Sequence, residues 1–156
     1  MKGNTKVIDA LNGLLTHELS AADQYFVHSR MYQDWGMEEL YERLKHEQEE
    51  ELDHASKLIE RILFLEGVPN VAARAALRIG DNVKAMLEND LSYELEVGQA
   101  LKKVIALCEA EQDYVSRQIL LELLKDTEDD HTYWLEKQLG LIEKMGIENY
   151  IQSKSS

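Results

Sequence analysis

The fold class this sequence predicts is all-α: a four-helix bundle with one long crossover connection and a short fifth helix at the C-terminus. Three observations carry that expectation. Apolar residues recur at three- and four-residue steps over four long segments, the period of a helix with one buried face. One proline and eight glycines in 156 residues leave few breaks. The longest break, residues 68–81, exceeds what a hairpin needs; fourteen extended residues span at most roughly 46–50 Å, enough to run the length of a 28-residue helix of about 42 Å. With 44% apolar and 30% charged residues the chain is not of disordered composition, and its length suits one domain, residues 1–156.

The first helix starts at Asn4 or Thr5, either of which can cap it, and ends at Asp34-Trp35-Gly36. Val7, Ile8, Leu11, Leu14, Leu15, Leu19, Ala22 and Phe26 form its expected core stripe, with Glu18 among them. The second runs from Met37 to Glu66 and carries Leu40, Leu44, Leu58, Ile62 and Leu65 inward. Between 45 and 54 its stripe turns polar, yet Glu47, Glu51, His54 and Leu58 stay on the apolar side. Asp81 is the expected cap of a third helix over Asn82–Glu111, with Val83, Met86, Leu87, Leu91, Leu95, Leu101, Val104, Ile105 and Cys108 inward and Glu94 inside that pattern. A break at Gln112-Asp113 leads to a fourth helix ending near Met145, packed through Val115, Ile119, Leu120, Leu123, Leu124, Leu135 and Leu139. Ile147–Ile151 make the short fifth helix, before the polar tail Ser153–Ser156.

The net charge of −13 disfavours nucleic acid and anionic membrane surfaces as partners. A single cysteine, Cys108, precludes an intrachain disulfide and reads as a core residue. No stretch approaches 18 apolar residues and no leader pattern opens the chain, so the cytoplasm is the expected compartment.

Chemistry concentrates in a repeated spacing. Glu51 and His54 stand three apart, and so do Glu128 and His131. On a helix three residues turn about 300°, which puts a carboxylate and an imidazole on one face a turn apart. A lone Glu precedes each pair: Glu18 lies 33 residues before Glu51, and Glu94 lies 34 before Glu128. An ionised Glu among core leucines is costly unless paired or bound to a cation. Two Glu-x-x-His pairs with one Glu from each of two further helices are the ligand set of a di-iron carboxylate bundle. Four carboxylates and two imidazoles without a thiolate suit iron or manganese better than copper.

The chain resembles the bacterioferritin family over nearly its whole length, through Gln24-Tyr25-Phe26, Arg61–Gly67, Asp113-Tyr114-Val115-Ser116-Arg117 and Met145-Gly146 before Asn149-Tyr150. The resemblance implies a ferritin-like bundle and oxidation of Fe(II) by O2 or H2O2, with ferric mineral stored inside a 24-subunit shell. It implies Glu51 and Glu128 as bridging ligands, with Glu18 and His54, and Glu94 and His131, as terminal ones. Tyr25 looks like the family's tyrosine beside the site, as an electron donor or as a hydrogen-bond partner of a bridging carboxylate. His46 and Glu50 resemble its inner-surface iron site, and Glu47 a residue met by iron in transit. Trp134 reads as structural or as a second electron donor, while His17 and His28 have no assigned partner. Members of the family bind haem between subunits through a methionine directly after the first bridging Glu. Here that residue is Leu52, whose side chain has no lone pair for iron. The expectation is a haem-free or haem-poor homo-24-mer, or a shell mixed with a methionine-bearing subunit. The rival readings are a di-iron peroxidase, a DNA-protecting mini-ferritin and a non-catalytic helical bundle.

Overall fold

Local sequence rules account for most helix ends. The computed structural model describes residues 1–155, and among these there is no strand. Helix α1 covers Thr5–Asp34, α2 Glu38–Phe64 and α3 Val83–Ala110. The fourth bundle helix is α4 (Tyr114–Asp126), a π-helical turn (Thr127–Thr132) and α5 (Tyr133–Met145) end to end; α6 (Ile147–Lys154) follows. Asn4 Oδ1 accepts from Lys6 N at 2.8 Å and caps α1. Asn82, not the expected Asp81, caps α3 by accepting from Ala85 N at 2.9 Å. Asp113 caps α4 through Ser116 N and is held by Arg61 at 3.1 Å. Gly36 takes the left-handed conformation at the end of α1, whereas Glu66 and Gln112 take it after α2 and α3. The last expected tail residue, Ser156, lies outside the described residues.

The helices pack as two hairpins, α1 on α2 and α3 on the fourth helix, with α1 also against α3. Leucines from every long helix form one core, including Leu11, Leu44, Leu87 and Leu120. Phe26, Leu95 and Val115 depart from expectation and are exposed. Beyond Ala22 the buried face of α1 passes to Tyr25, His28, Ser29 and Tyr32, which turns Phe26 outward.

The crossover, residues 65–82, lies along α1 and is fixed by side chains spaced in multiples of four. Asn12 Oδ1 accepts from Asn70 N, Ser20 Oγ from Ala75 N, Gln24 Oε1 from Arg78 N and His28 Nε2 from Gly80 N, at 2.8 to 3.2 Å. One α1 stripe thus satisfies backbone donors that an irregular segment would otherwise leave unpaired. The stripe is anchored from the other side by Asp90 on α3, whose Oδ1 lies 2.9 Å from His28 Nδ1 and 2.8 Å from Gln24 Nε2. His28 and Asp90 are wholly buried, so His28, without an assigned partner in the sequence, is part of a buried polar clamp. Burial pushes the Asp90 carboxyl up from its ordinary value, against the pull of His28 and Gln24.

Replacing Asp90 by Ala orphans two buried donors, so Asp90→Ala should lose about 3 kcal/mol of stability, a fall in Tm of roughly 10 °C at this size. Calorimetry showing a fall below about 3 °C would contradict the clamp.

Candidate metal centre

Five side chains meet midway between the helices, each 1% exposed or less: Glu18 from α1, Glu51 and His54 from α2, Glu94 from α3 and His131 from the π turn. They form two ligand groups, Glu18–Glu51–His54 and Glu51–Glu94–His131, each with donor atoms within 4.8 Å of one another. Glu51 belongs to both. A carboxylate common to two adjacent cation sites is placed to bridge them.

Both imidazoles aim the same nitrogen inward. His54 Nδ1 lies 3.4 Å from Glu18 Oε2 and 3.7 Å from Glu51 Oε2. His131 Nδ1 lies 2.8 Å from Glu51 Oε1 and 3.5 Å from Glu94 Oε1. The rings stack, 5.8 Å apart and 14° from parallel. Each Nε2 points away to a carboxylate: His54 to Asp126 at 3.1 Å, His131 to Glu50 at 2.5 Å and Glu47 at 2.8 Å. Metal-binding histidines commonly have their second nitrogen fixed in this way.

The cluster is under-satisfied as it stands. Glu18 Oε1, both oxygens of Glu51, Glu94 Oε2 and His131 Nδ1 are buried without an aligned hydrogen bond. Buried charges left so are costly, and divalent cations coordinated by these atoms would remove the cost. The donor set, carboxylates with two imidazoles, fits iron.

Protons are unevenly held. Burial, reinforced by the charges of Glu18 and Glu94, pushes the Glu51 carboxyl well above its ordinary range. Burial also acts on Glu18, but the neighbouring Glu51 and His54 outweigh it and hold Glu18 low. Burial pulls His54 down, yet Glu18 and Asp126 leave it raised. The same opposition at His131 is won by Glu47, Glu50, Glu51 and Glu94, which raise it far above the ordinary imidazole value. The hydrogen bond from His131 brings the Glu50 carboxyl down to about 2. Tyr25 donates its phenolic hydrogen to Glu94 Oε1 at 2.5 Å, and burial next to Glu94 raises its pKa well above the usual value.

Glu128, expected as a second bridge, is not brought into the cluster. Its side chain is half exposed and pairs with Lys102 at 3.4 Å. The cause is the π turn: bonds from i to i+5 widen the helix, so Glu128 and His131 no longer share a face as in an α-helix. The residue 33 after Glu94, matching the Glu18–Glu51 interval, is Thr127, and it is Thr127 that is buried, donating to Leu123 O at 2.9 Å. Glu128 instead borders an outer pocket with Glu94, Lys102 and Thr132.

The remaining expected residues lie at the edge. His46 Nε2 is 2.5 Å from Glu50 Oε1 and more than half exposed. Glu47 is buried beside His131. Trp134 is partly buried under the Arg43 guanidinium, 4.7 Å from the ring centre. His17 offers only its backbone oxygen, to Tyr93 at 3.3 Å. Asp126, Asp130 and Arg43 were not anticipated. Asp126 and Asp130 lie in an acidic run whose facing depends on the π turn.

A family model described as a ferritin-like domain matches residues 8–145. The chain belongs to the ferritin family. It is 58% identical over 156 residues to the bacterial ferritin of Synechocystis sp., covering all of both chains. Over 154 residues it is 58% identical to the bacterial ferritin of Pseudomonas aeruginosa, covering 99% of each. It is 46% identical over 152 residues to the bacterioferritin of Brucella melitensis, covering 97% of this chain and 94% of the relative. Membership in the ferritin family supports iron storage, and these carboxylate and imidazole groups are of a kind that can form a di-iron site. Among the described residues no helix is long and apolar enough to cross a membrane.

Coordination requires His54, His131 and Glu51 to give up protons that this site holds more tightly than water would. Metal binding is therefore expected to weaken as pH falls. Anaerobic Co(II) titration should show apparent affinity dropping by about tenfold or more per unit from pH 7 to 6, with proton release in weak buffer. Affinity independent of pH would contradict this.

Proposed function

We propose that the chain stores iron as a subunit of an oligomeric ferritin shell and oxidises Fe(II) at the paired sites around Glu51, with O2 or H2O2 as electron acceptor. The observation that carries the reading is the carboxylate shared by two buried ligand groups, each completed by a histidine Nδ1. Two Fe(II) ions are the substrate. Glu18, Glu51 and His54 Nδ1 hold one; Glu51, Glu94 and His131 Nδ1 hold the other. Bringing two one-electron donors to a single carboxylate, at the roughly 3.5–4 Å spacing usual for paired metal sites, lets one acceptor molecule take two electrons together. Asp126, Glu47 and Glu50 keep the imidazoles oriented. Tyr25 fixes Glu94 by its hydrogen bond and is near enough to His131, 6.5 Å between ring centres, to act as a further electron donor.

His46 and Glu50 form an outer iron-binding pair in this reading, on the solvent side of the buried centre. A homo-24-mer is the proposed assembly, or a shell mixed with a methionine-bearing subunit, and the single domain of residues 1–156 is its repeating unit. Leu52 is 47% exposed on α2 and offers carbon only, so no haem is held there by this chain alone.

Stopped-flow oxidation of Fe(II) is the test. The wild type should show a fast ferric phase saturating near two irons per chain. Glu51→Gln should slow it by about 100-fold, the loss of one electrostatic anchor of a charged site being worth roughly 3 kcal/mol. Glu128→Gln, altering a residue outside both ligand groups, should slow it less than about tenfold. A wild type with no fast phase, or equal losses in the two variants, would contradict the assignment. For haem, protein produced alone should lack a Soret band; a strong one would overturn the reading of Leu52.

A further inference from the structure

Arg43 sits where the centre approaches solvent. A third group of donor atoms, Glu47, Glu50, Asp130 and His131 Nε2, lies there within 4.8 Å of one another. Exposure falls along it, from the side chains of His46 (56%) and Glu50 (26%) to Glu47 (2%) and His131 (0%). Arg43, one turn before Glu47 on α2, reaches across it. Its Nη2 lies 2.6 Å from Glu47 Oε1 and 2.9 Å from Asp130 Oδ1.

Two features set this apart from an ordinary structural ion pair. Glu47 is almost fully buried, yet neither of its oxygens has an aligned hydrogen bond, although Arg43 and His131 both stand close. The Arg43 Nε is likewise buried and unpartnered. An arginine built to hold carboxylates uses two parallel donors of its fork. Here one nitrogen serves two carboxylates and the rest of the guanidinium rests on Trp134. The guanidinium fills a place suited to a small, more highly charged cation, and fills it poorly.

We propose that Arg43 is the resident counter-cation of an access site made by Glu47, Glu50, Asp130 and His131 Nε2, and that an incoming divalent cation displaces its guanidinium from Glu47 and Asp130 on the way to the sites around Glu51. This rests on the metal-centre reading above. A neutral imidazole has one lone pair, so His131 serves either the access site through Nε2 or the inner site through Nδ1. The competing charge of Arg43 keeps the access site weak. A cation therefore passes inward rather than stopping there. Arg43 is a positioning residue in this scheme, setting where the cation rests without being a ligand.

The test is an anaerobic Co(II) titration of the assembled protein, followed by calorimetry and by the visible bands of bound Co(II). The wild type should take two ions per chain tightly. Arg43→Gln, retaining length without charge, should take a third, held by the carboxylates of Glu47, Glu50 and Asp130 while His131 Nδ1 serves the inner site, at a concentration at least tenfold below that needed by the wild type. Arg43→Lys, charged but unable to lie flat on Trp134, should fall between. Adding Asp130→Asn to Arg43→Gln should abolish the third ion. If Arg43→Gln does not fold, Arg43→Lys against wild type decides. Equal third-ion binding in variant and wild type, or a third ion that survives Asp130→Asn, would overturn the role of Arg43 alone. A wild type that binds no Co(II) would overturn the metal-centre reading and this proposal with it.

Discussion

The carboxylate of Glu51 lies at the centre of the bundle with both oxygens unpartnered, between two other buried glutamates and two stacked imidazoles. Nothing else among the described residues concentrates so much potential charge so far from water. A core of leucines could be repacked in many ways, but this arrangement needs four helices held at fixed register, since each supplies a donor that only one rotation of its helix can present. The two-hairpin packing and the crossover clamp both serve that requirement. Asn12, Ser20, Gln24 and His28 fasten the crossover to α1, and Asp90 fastens the same stripe to α3, one turn from Glu94.

The histidines show how orientation is built. Each has one nitrogen toward the centre and the other against a carboxylate near the protein surface. For His54 that partner is Asp126; for His131 it is Glu50 with Glu47. These outer carboxylates raise the basicity of the rings while preventing them from turning. The acidic side chains become more buried from Glu50 to Glu47, and at Glu47 both Arg43 and His131 stand in contact with the carboxylate.

Much of this was legible in the sequence because helical periodicity is a local property. The apolar stripes located four helices, Asn4 and Asp113 announced their capping roles, and a break too long for a hairpin announced the crossover. The ligand spacing was equally visible, since three residues on an α-helix share a face. That same rule misled at Glu128. A π turn is a local departure from the period, and its one trace was numerical: an interval of 34 where the first hairpin has 33. Phe26, Leu95 and Val115 misled differently, because an amphipathic stripe drifts around a long helix and an apolar residue at its margin is free to face outward. Asp126 and Asp130 were illegible because their facing follows from the π turn. Arg43 was illegible because its partners include a residue 87 positions away, a relation no local pattern encodes.

Anomalous diffraction from crystals soaked anaerobically in Co(II) tests the central claim most directly. Two peaks are predicted within each chain, on either side of Glu51 and about 3.5–4 Å apart. One should lie against Glu18 and His54 Nδ1, the other against Glu94 and His131 Nδ1. A single peak not shared by Glu51, or cobalt held only at the Nε2 side of the histidines, would contradict the account.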